Sequence, residues 1–244
     1  MCGITGIINP KIKEKEGAIR EMTSRIFHRG PDEDGFFVDE NVALGMRRLS
    51  IIDLSTGKQP VTSADGKLLI IFNGEIYNYK ELRGELIKKG CIFKTNSDTE
   101  VILHMYEIFG DKMLLRLRGM FAFCIYNTEK KNVFLARDYF GIKPLYYYKY
   151  KESIVAFSSE IKSFFALKEF TPIVNDDAVY NYLSFQYNPL EETFFKSVYK
   201  LQPGHFMNID IKNGITEIIK YWSYEIKQNN NLNELGTKNK KRFF

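Results

Sequence analysis

The order of the predicted secondary-structure elements constrains the fold more than any other feature of this sequence. Apolar, strand-like segments occur in groups, and two consecutive helices separate the groups instead of alternating with single strands. Strict alternation is typical of doubly wound parallel sheets, whereas neighbouring strands joined by short polar turns favour antiparallel pairing. The sequence therefore predicts an α+β fold in which two stacked antiparallel sheets have helices on their outer sides.

Individual segments fit this plan. The first strand is predicted at 2–9, and an amphipathic helix follows around 17–27. Further helices are predicted at 80–90 and 97–110, the second beginning at an N-cap Ser97 with Glu100 three residues on, the capping-box signature. Polar turns divide the remaining apolar segments into hairpins, at 39–41, 127–132 and 150–153 among others.

Composition excludes several classes of protein. A chain of 244 residues with 44% hydrophobic and 15% aromatic residues can bury a substantial core. The net charge of +5 comes from local clusters at 11–15, 88–89 and 238–242, and no basic stripe is interleaved with aromatic residues. We therefore expect no nucleic-acid partner. The sequence also has no long uninterrupted apolar segment, so we expect no membrane partner.

The three cysteines form neither a CxxC metal pair nor a disulfide framework. An odd number of cysteines without a signal peptide predicts a reducing, cytoplasmic compartment. Cys124 lies in an apolar segment and is predicted to be a core residue, and Cys91 is predicted at a helix-to-strand turn. Cys2 is the cysteine in an unusual place, directly behind Met1.

Two interpretations of Cys2 are open. It is either a small buried residue of the first strand or, once Met1 is removed, a residue with both a free thiol and a free α-amine. A reacting thiol needs a base, and none of the three histidines, His28, His104 and His205, lies in a context that suggests one. An α-amine has a pKa of about 7.7–8.0, so it can accept the thiol proton near neutral pH.

Other short stretches contain groups that suit such a site. Arg47 and Arg48 follow each other on a predicted strand, so only one of them can face a given pocket, where a guanidinium could bind a carboxylate. The amide of Asn73 and the N–H of Gly74 could form an oxyanion hole, although Asn-Gly is also a common turn. Asp98 either complements the dipole of its helix or binds a substrate ammonium.

Thiolate, oxyanion donors, a carboxylate ligand and an ammonium partner together meet the requirements for hydrolysing the side-chain amide of a free amino acid. The sequence therefore indicates glutamine as the substrate.

Eight motifs, in order, also resemble the glutaminase domain of glutamine-hydrolysing asparagine synthetase. This domain is a class II glutamine amidotransferase with an N-terminal-nucleophile hydrolase fold. The motifs are MCGI (1–4), HRGPD (28–32), RRLSIIDLSTGKQP (47–60), FNGEIYNY (72–79), SDTEVILHMYE (97–107), LRGMFAFCIYN (117–127), RDYFGIKPLYY (137–147) and SSEIK (158–162).

The resemblance implies an αββα sandwich and a role for ten residues. Cys2 would be the nucleophile, Arg48 the ligand of the substrate α-carboxylate, and Asn73 and Gly74 the oxyanion hole. The remaining residues would form the pocket wall (Leu49, Ser50, Ile51 and Ile52) and contact the α-amino side of the substrate (Glu75 and Asp98). Attack by the thiolate would release ammonia and leave a γ-glutamyl thioester, which water hydrolyses to glutamate.

The resemblance covers residues 2–222, which we expect to be the amidotransferase domain. We expect 223–244 to be a truncated linker or tail, since the phosphate-binding SGGxDS loop of the family's synthetase domain does not occur. ATP and magnesium would belong to that domain, and no cofactor is expected in this one. A synthetase domain or subunit would be the partner. Two alternatives stay open: an amidotransferase domain that serves another acceptor, and a catalytically silent binding domain that retains Met1.

Overall fold

The computed structural model describes residues 1–8, 12, 14–50, 57–151 and 153–224. The expectations for Ile51, Ile52 and the tail from residue 225 onward lie outside the described residues.

The described strands form two six-stranded sheets, and every strand pairing in them is antiparallel. In chain order the strands are β1 (Gly3–Ile7), β2 (Glu33–Val38), β3 (Ala43–Arg48), β4 (Val61–Thr62), β5 (Leu68–Ile76), β6 (Gly119–Asn127), β7 (Asn132–Arg137), β8 (Tyr146–Tyr150), β9 (Ser153–Ser158), β10 (Val198–Lys200), β11 (His205–Asp210) and β12 (Ile215–Lys220). The first sheet has the order β10-β8-β9-β1-β3-β2, and the second has the order β12-β11-β7-β6-β5-β4.

The described residues also form helices. They are α1 (Lys15–Ser24), α2 (Tyr79–Lys88), α3 (Asp98–Phe109) and α4 (Asp176–Phe185), with 3-10 segments at Phe27–Arg29, Gly110–Leu115 and Ile161–Ala166. No helix in the described part of the chain combines the length and apolar character needed to cross a membrane.

The layers follow from the alternation of side chains along the strands. On β5, Ile70 and Phe72 pack with α2 and α3, whereas Leu69 and Ile71 face Leu44 and other side chains of the first sheet. A third cluster packs α1 and the 3-10 segment Ile161–Ala166 against the outer face of the first sheet. Both faces of each sheet are therefore covered, and the predicted αββα sandwich is confirmed.

Strand β1 lies inside the first sheet and pairs with β3 on one side and β9 on the other. Its register sets Gly3 opposite Arg47, so that Cys2 enters the sheet beside the end of β3. The start of the chain is thereby fixed between two strands.

Of the two hydrogen bonds in the capping box predicted at the start of α3, only the one made by Ser97 is confirmed. The Ser97 hydroxyl accepts the Thr99 N–H at 3.0 Å, as an N-cap does. Glu100 does not complete the capping box, because its carboxylate accepts the N–H groups of Lys94 and Thr95 at 2.8 and 2.7 Å. The Glu100 carboxylate thus takes the place of a neighbouring strand as acceptor for the backbone N–H groups before α3. The strand predicted after Cys91 is accordingly absent from the described residues between Cys91 and α3.

Other differences concern boundaries and short elements. The first helix begins at Lys15 and ends at Ser24, and a 3-10 turn at Phe27–Arg29 takes up the end of the predicted helix. Strands β4 and β10 were not predicted, since two or three residues are too few to show an alternating pattern. The hairpins β2–β3, β6–β7 and β8–β9 are confirmed.

Candidate functional site

A cleft of about 620 Å³, including the part open to solvent, lies where β1, β3, β5 and α3 meet. Seven of the ten predicted site residues line it: Cys2, Arg48, Leu49, Asn73, Gly74, Glu75 and Asp98. Ser50 does not line it, and its N–H donates to Asp32 Oδ2 at 2.8 Å. All seven come from the first 98 residues of the chain.

The backbone and the side chain of Cys2 are both held. Arg29 Nε donates to the Cys2 carbonyl oxygen at 2.9 Å, and Glu160 fixes the same guanidinium through a bond of 2.9 Å to Nη1. The Cys2 thiol is half-buried and directed at the Leu49 carbonyl oxygen, 3.7 Å from Sγ. The thiol therefore has a defined position on the cleft wall.

Each of the three histidines has a hydrogen-bond partner other than Cys2. His28 contacts Glu160 at 2.8 Å, His104 contacts Glu107 at 2.6 Å, and His205 contacts the Pro203 carbonyl oxygen at 2.8 Å. None of the three is among the described residues that line the cleft. This arrangement supports the expectation that the base for Cys2 is not a histidine.

Asn73 is the clearest sign of a binding site. Its side chain is only 1% exposed and lines the cleft, yet neither its amide nitrogen nor its oxygen has a hydrogen-bond partner in the described chain. A buried polar group left unpaired costs about 1–3 kcal/mol. Such a cost is typical of a position where a ligand supplies the missing partner.

The backbone of Gly74 is directed into the same cleft. Successive residues of a strand point their backbone groups to opposite edges, and those two apart share an edge. The N–H of Phe72 donates to Gln59 Oε1 at 2.7 Å, and the N–H of Ile76 donates to Asp98 Oδ2 at 3.0 Å. Gly74 lies between them, so its N–H points to that edge, away from β6. Asn73 and Gly74 together offer the two donors of the predicted oxyanion hole.

Glycine is required at position 74 for a reason that the sequence did not show. We predicted that it lets the backbone approach the substrate. In the structure, a Cβ at Gly74 would collide with the Met120 carbonyl oxygen and come within 2.8 Å of the Phe121 Cα on β6. Close packing against the neighbouring strand therefore already excludes a side chain here.

The two arginines at the end of β3 point in opposite directions, as predicted. Arg48 lines the cleft, and its Nη1 donates to Glu33 Oε2 at 2.7 Å. Arg47 points to the other face, where it donates to Gly30 O and Asp34 Oδ2 at 3.0 Å each. Glu33 thus fixes the direction of the guanidinium that faces the cleft.

Asp98 and Glu75 form the acidic part of the cleft. Asp98 is the first residue of α3, is 4% exposed, and accepts the Ile76 N–H. Burial raises the pKa of Asp98 to about 6; the Glu75 carboxylate adds to this rise, and backbone N–H groups oppose it. An ionised, buried carboxylate is stabilised by a cation, which makes this part of the cleft suited to an ammonium group.

Gln59 and Lys143 are among the cleft residues that were not singled out from the sequence. Gln59 Nε2 donates to the Phe72 carbonyl oxygen at 3.3 Å, so its side-chain amide binds both backbone groups of Phe72. Both residues occur in quoted motifs, GKQP and GIKPLYY, but only the fold shows that they reach the cleft. No cluster of three or more potential metal-ligating side chains was found in the described part of the chain.

The sandwich of two antiparallel sheets, with a cysteine at its N-terminal strand, is the fold of N-terminal-nucleophile glutamine amidotransferases. Residues 1–222 match the family model of the glutamine amidotransferase domain, and the chain belongs to this family. Glutamine phosphoribosylpyrophosphate amidotransferase from Bacillus subtilis is a solved structure with the same fold. It superposes with a TM-score of 0.63 at 21% identity, covering 91% of this chain and 50% of that one.

Relatives found by sequence similarity indicate a narrower group within this family. Asparagine synthetase [glutamine-hydrolyzing] 1 of Bacillus subtilis is 44% identical over 220 residues, which cover 88% of this chain and 34% of the relative. Putative asparagine synthetase [glutamine-hydrolyzing] 2 of Methanocaldococcus jannaschii is 36% identical, with 93% and 47% covered. The chain is thus homologous to glutamine-hydrolysing asparagine synthetases and spans about a third to a half of their length.

Proposed function

We propose that this domain hydrolyses glutamine to glutamate and ammonia, with Cys2 as the nucleophile after removal of Met1. The observation that carries the proposal is the buried, unpartnered amide of Asn73 in the cleft that Cys2 lines. A donor left unpaired beside a nucleophile is what the developing oxyanion of an amide hydrolysis requires.

The first step begins with a proton transfer within residue 2. The α-amine of Cys2 takes the thiol proton, directly or through water, and the thiolate attacks the amide carbon of the glutamine side chain. A carbon–sulfur bond forms, and the carbonyl oxygen becomes an oxyanion that accepts hydrogen bonds from the Asn73 amide and the Gly74 N–H. The intermediate collapses when the carbon–nitrogen bond breaks, and the α-ammonium returns its proton to the leaving ammonia.

The second step regenerates the enzyme. A water molecule attacks the γ-glutamyl thioester, with the α-amine of Cys2 again accepting a proton. The carbon–sulfur bond then breaks, and glutamate leaves. The same oxyanion donors serve both steps, since the negative charge develops on the same oxygen.

Charged groups that line the cleft would orient the amino acid. Arg48 would bind the α-carboxylate through charge-assisted hydrogen bonds, held in direction by Glu33. Asp98 and Glu75 would bind the α-ammonium. Leu49 would form part of the pocket wall. The roles of Ser50, Ile51 and Ile52 stay predictions from the resemblance.

The ammonia acceptor belongs to the partner. The relatives' names support a synthetase domain or subunit that converts aspartate to asparagine, and ATP and magnesium would act there, with no cofactor in this domain. We place the protein in the cytoplasm, which its free cysteines Cys2, Cys91 and Cys124 support. Neither a nucleic acid nor a membrane is proposed as a partner.

Ammonia release from purified protein tests the proposal. Intact mass first shows whether Met1 is absent, and amide-labelled glutamine then gives labelled ammonia and an equal amount of glutamate. The matched control is Cys2→Ala, which is expected to release none. Asparagine in place of glutamine tests whether the cleft selects the longer side chain.

Two results would contradict the proposal in different ways. A chain that retains Met1 and releases no ammonia would favour the silent binding domain. A processed chain that hydrolyses glutamine, but does not support asparagine formation with any asparagine synthetase domain supplied in excess, would favour a domain that serves another acceptor.

A further inference from the structure

Gln59 lies where strand β4 would continue if it were two residues longer. Strand β4 begins at Val61, which is opposite Ile70 of β5, and the same antiparallel register would set Gln59 opposite Phe72. The backbone of Gln59 faces elsewhere, because its carbonyl oxygen packs so closely on β2 that a Cβ at Gly35 would come within 1.8 Å of it. The side chain of Gln59, in place of its backbone, therefore contacts β5.

The side-chain amide of Gln59 makes the hydrogen bonds that a strand partner would make. Its Oε1 accepts the Phe72 N–H at 2.7 Å, and its Nε2 donates to the Phe72 carbonyl oxygen at 3.3 Å. Two residues that form a hydrogen-bonded antiparallel pair exchange the same two bonds. The amide is buried, and Nε2 also donates to Thr99 Oγ1 in the first turn of α3 at 3.3 Å. Gln59 thus ties the end of the β4 register to β5 and α3.

The two proposed oxyanion donors follow directly after Phe72. The Asn73 side-chain amide has no hydrogen-bond partner in the described chain, so no bond of its own fixes its direction. The Gly74 N–H points to the same edge of β5 as the Phe72 N–H. The backbone on either side therefore sets the direction of both donors. Asp98 binds this backbone after Gly74, and Gln59 binds it before Asn73.

We propose that Gln59 is a positioning residue for the oxyanion hole: its side-chain amide replaces a strand partner at Phe72 and thereby holds the Asn73 amide and the Gly74 N–H toward the developing oxyanion. The inference rests on the proposed function, since it assigns a role within the same hydrolysis. Misplacement of a reacting group by about 1 Å can cost about a hundredfold in rate, so a residue that fixes only the backbone can have a large effect on kcat.

Steady-state kinetics of two matched variants test this role. Gln59→Met keeps a side chain of similar length but removes both bonds to Phe72. The control is Ser63→Ala, since Ser63 is also buried, accepts the Leu68 N–H of β5 at 3.0 Å and lies outside the cleft lining.

We expect Gln59→Met to lower kcat for glutamine hydrolysis by about 10–100-fold, with KM within about threefold, because the groups proposed to bind the two ends of the amino acid are unchanged. Ser63→Ala should leave kcat and KM unchanged. Both variants lose a buried bond to the β5 backbone and should lower the unfolding temperature to a similar degree. Lost stability would then not explain the difference in kcat.

A double variant distinguishes positioning from an independent effect. In Gln59→Met/Asn73→Ala, kcat should exceed, by about threefold or more, the value expected from multiplying the two single losses, because both changes weaken contacts to the same oxyanion. Losses that simply multiply would show that Gln59 does not act through these donors and would overturn the inference.

Nuclear magnetic resonance of the ¹⁵N-labelled full chain gives a measurement that needs no hydrolysis. The resonances of the Gly74 N–H and of the Asn73 side-chain NH₂ should shift in Gln59→Met and stay in place in Ser63→Ala. If Gln59→Met does not fold, Gln59→Glu replaces it, since a carboxylate accepts the Phe72 N–H but cannot donate to the Phe72 carbonyl oxygen. Its kcat should fall by about tenfold.

The outcomes separate this inference from the proposed function. A protein that hydrolyses glutamine with the same kcat in Gln59→Met overturns the role of Gln59 and leaves the proposed function in place. A processed protein that hydrolyses no glutamine overturns the proposed function; shifted Asn73 and Gly74 resonances in Gln59→Met then support the positioning by Gln59, and unshifted ones overturn it too. An equal fall of kcat in Ser63→Ala would also overturn the inference, because the effect would then be a general disturbance of β5.

Discussion

The two halves of strand β5 differ in what surrounds them. In the first half, Ile71 lies opposite Cys124 of β6, and both side chains are fully buried among apolar neighbours between the sheets. Burial there raises the pKa of the Cys124 thiol, which makes it inert. In the second half, Asn73 and Gly74 face a cleft that contains polar groups and the other thiol, Cys2.

Pairing with β6 does not explain this difference, because the register continues from Leu68 to Ile76 without a break. The opposite edge of β5 explains the difference. Strand β4 pairs only with Leu69 and Ile70, and beyond it the side chains of Gln59 and Asp98 bind the β5 backbone instead. The cleft exists because a neighbouring strand ends early, and side chains replace it at alternate positions.

The largest expected effect comes from the two cysteines. Cys2→Ala should lower kcat for glutamine hydrolysis by about 10⁴-fold or more, because the nucleophile is lost, with little change in the unfolding temperature. Cys124→Ala should lower the free energy of unfolding by about 1 kcal/mol and leave kcat unchanged. Equal activity in Cys2→Ala and the original protein would remove Cys2 from the chemistry.

The next largest effect on kcat is expected from a comparison of two asparagines, Asn73 and Asn78. Asn73→Ala should lower kcat by about 10²–10³-fold, as loss of one oxyanion donor does, and should not destabilise the fold, since no hydrogen bond is broken. Asn78 is the control, because its amide donates to Arg116 O and accepts from Arg118 N–H, both at 3.0 Å. Asn78→Ala should lower the free energy of unfolding by about 1–2 kcal/mol with kcat unchanged.

Steady-state kinetics and thermal unfolding measure both asparagine variants. The reverse pattern, with stability lost in Asn73→Ala and activity retained, would show that Asn73 has a structural partner.

A smaller effect, on KM for glutamine, should distinguish Arg48 from Arg47. Arg48→Ala removes a charge-assisted pair with the substrate carboxylate, worth about 1.5–3 kcal/mol, and should raise KM for glutamine by roughly ten- to hundredfold. Arg47→Ala also deprives a carboxylate of its partner, that of Asp34, but on the other face of β3. Its KM should stay the same. An increase of KM in both variants would point to a general disturbance of β3.

The smallest effect is a pH dependence at Asp98. Its pKa in the folded protein, about 6, lies above the value of about 3.9 expected in the unfolded chain. The folded state therefore binds this proton more tightly, and the resulting stability, up to about 3 kcal/mol, is present below pH 4 and lost as the pH rises through about 6. Asp98→Asn should abolish this part of the pH dependence.

Glutamine binding should follow the opposite trend. The substrate ammonium needs the ionised carboxylate, so KM should increase as the pH falls below about 6 in the original protein. In Asp98→Asn, KM should be high and independent of pH in this range. Denaturation and kinetics from pH 4 to 8 measure both trends, and a KM that is flat in the original protein would exclude Asp98 as the ammonium ligand.

Sequence patterns gave most of the fold and part of the site. Strand grouping predicted the sandwich, since hairpins with polar turns are local features, and the opposite directions of Arg47 and Arg48 follow from strand geometry alone. Gln59 and Lys143 could not be found in this way, because only the fold brings Gln59 beside Phe72 of β5 and Lys143 beside Met1. The close approach of β6 to Gly74 is likewise invisible in a local pattern.

The sequence by itself determined that a cysteine begins an apolar strand and that the right donors and charged groups occur in short motifs. Such information is local, since periodicity and turn chemistry act over a few residues. Only the tertiary structure decided which groups share a cleft and which remain unpaired. Burial, missing hydrogen-bond partners and the raised pKa of Asp98 arise from packing between elements that are far apart in the chain.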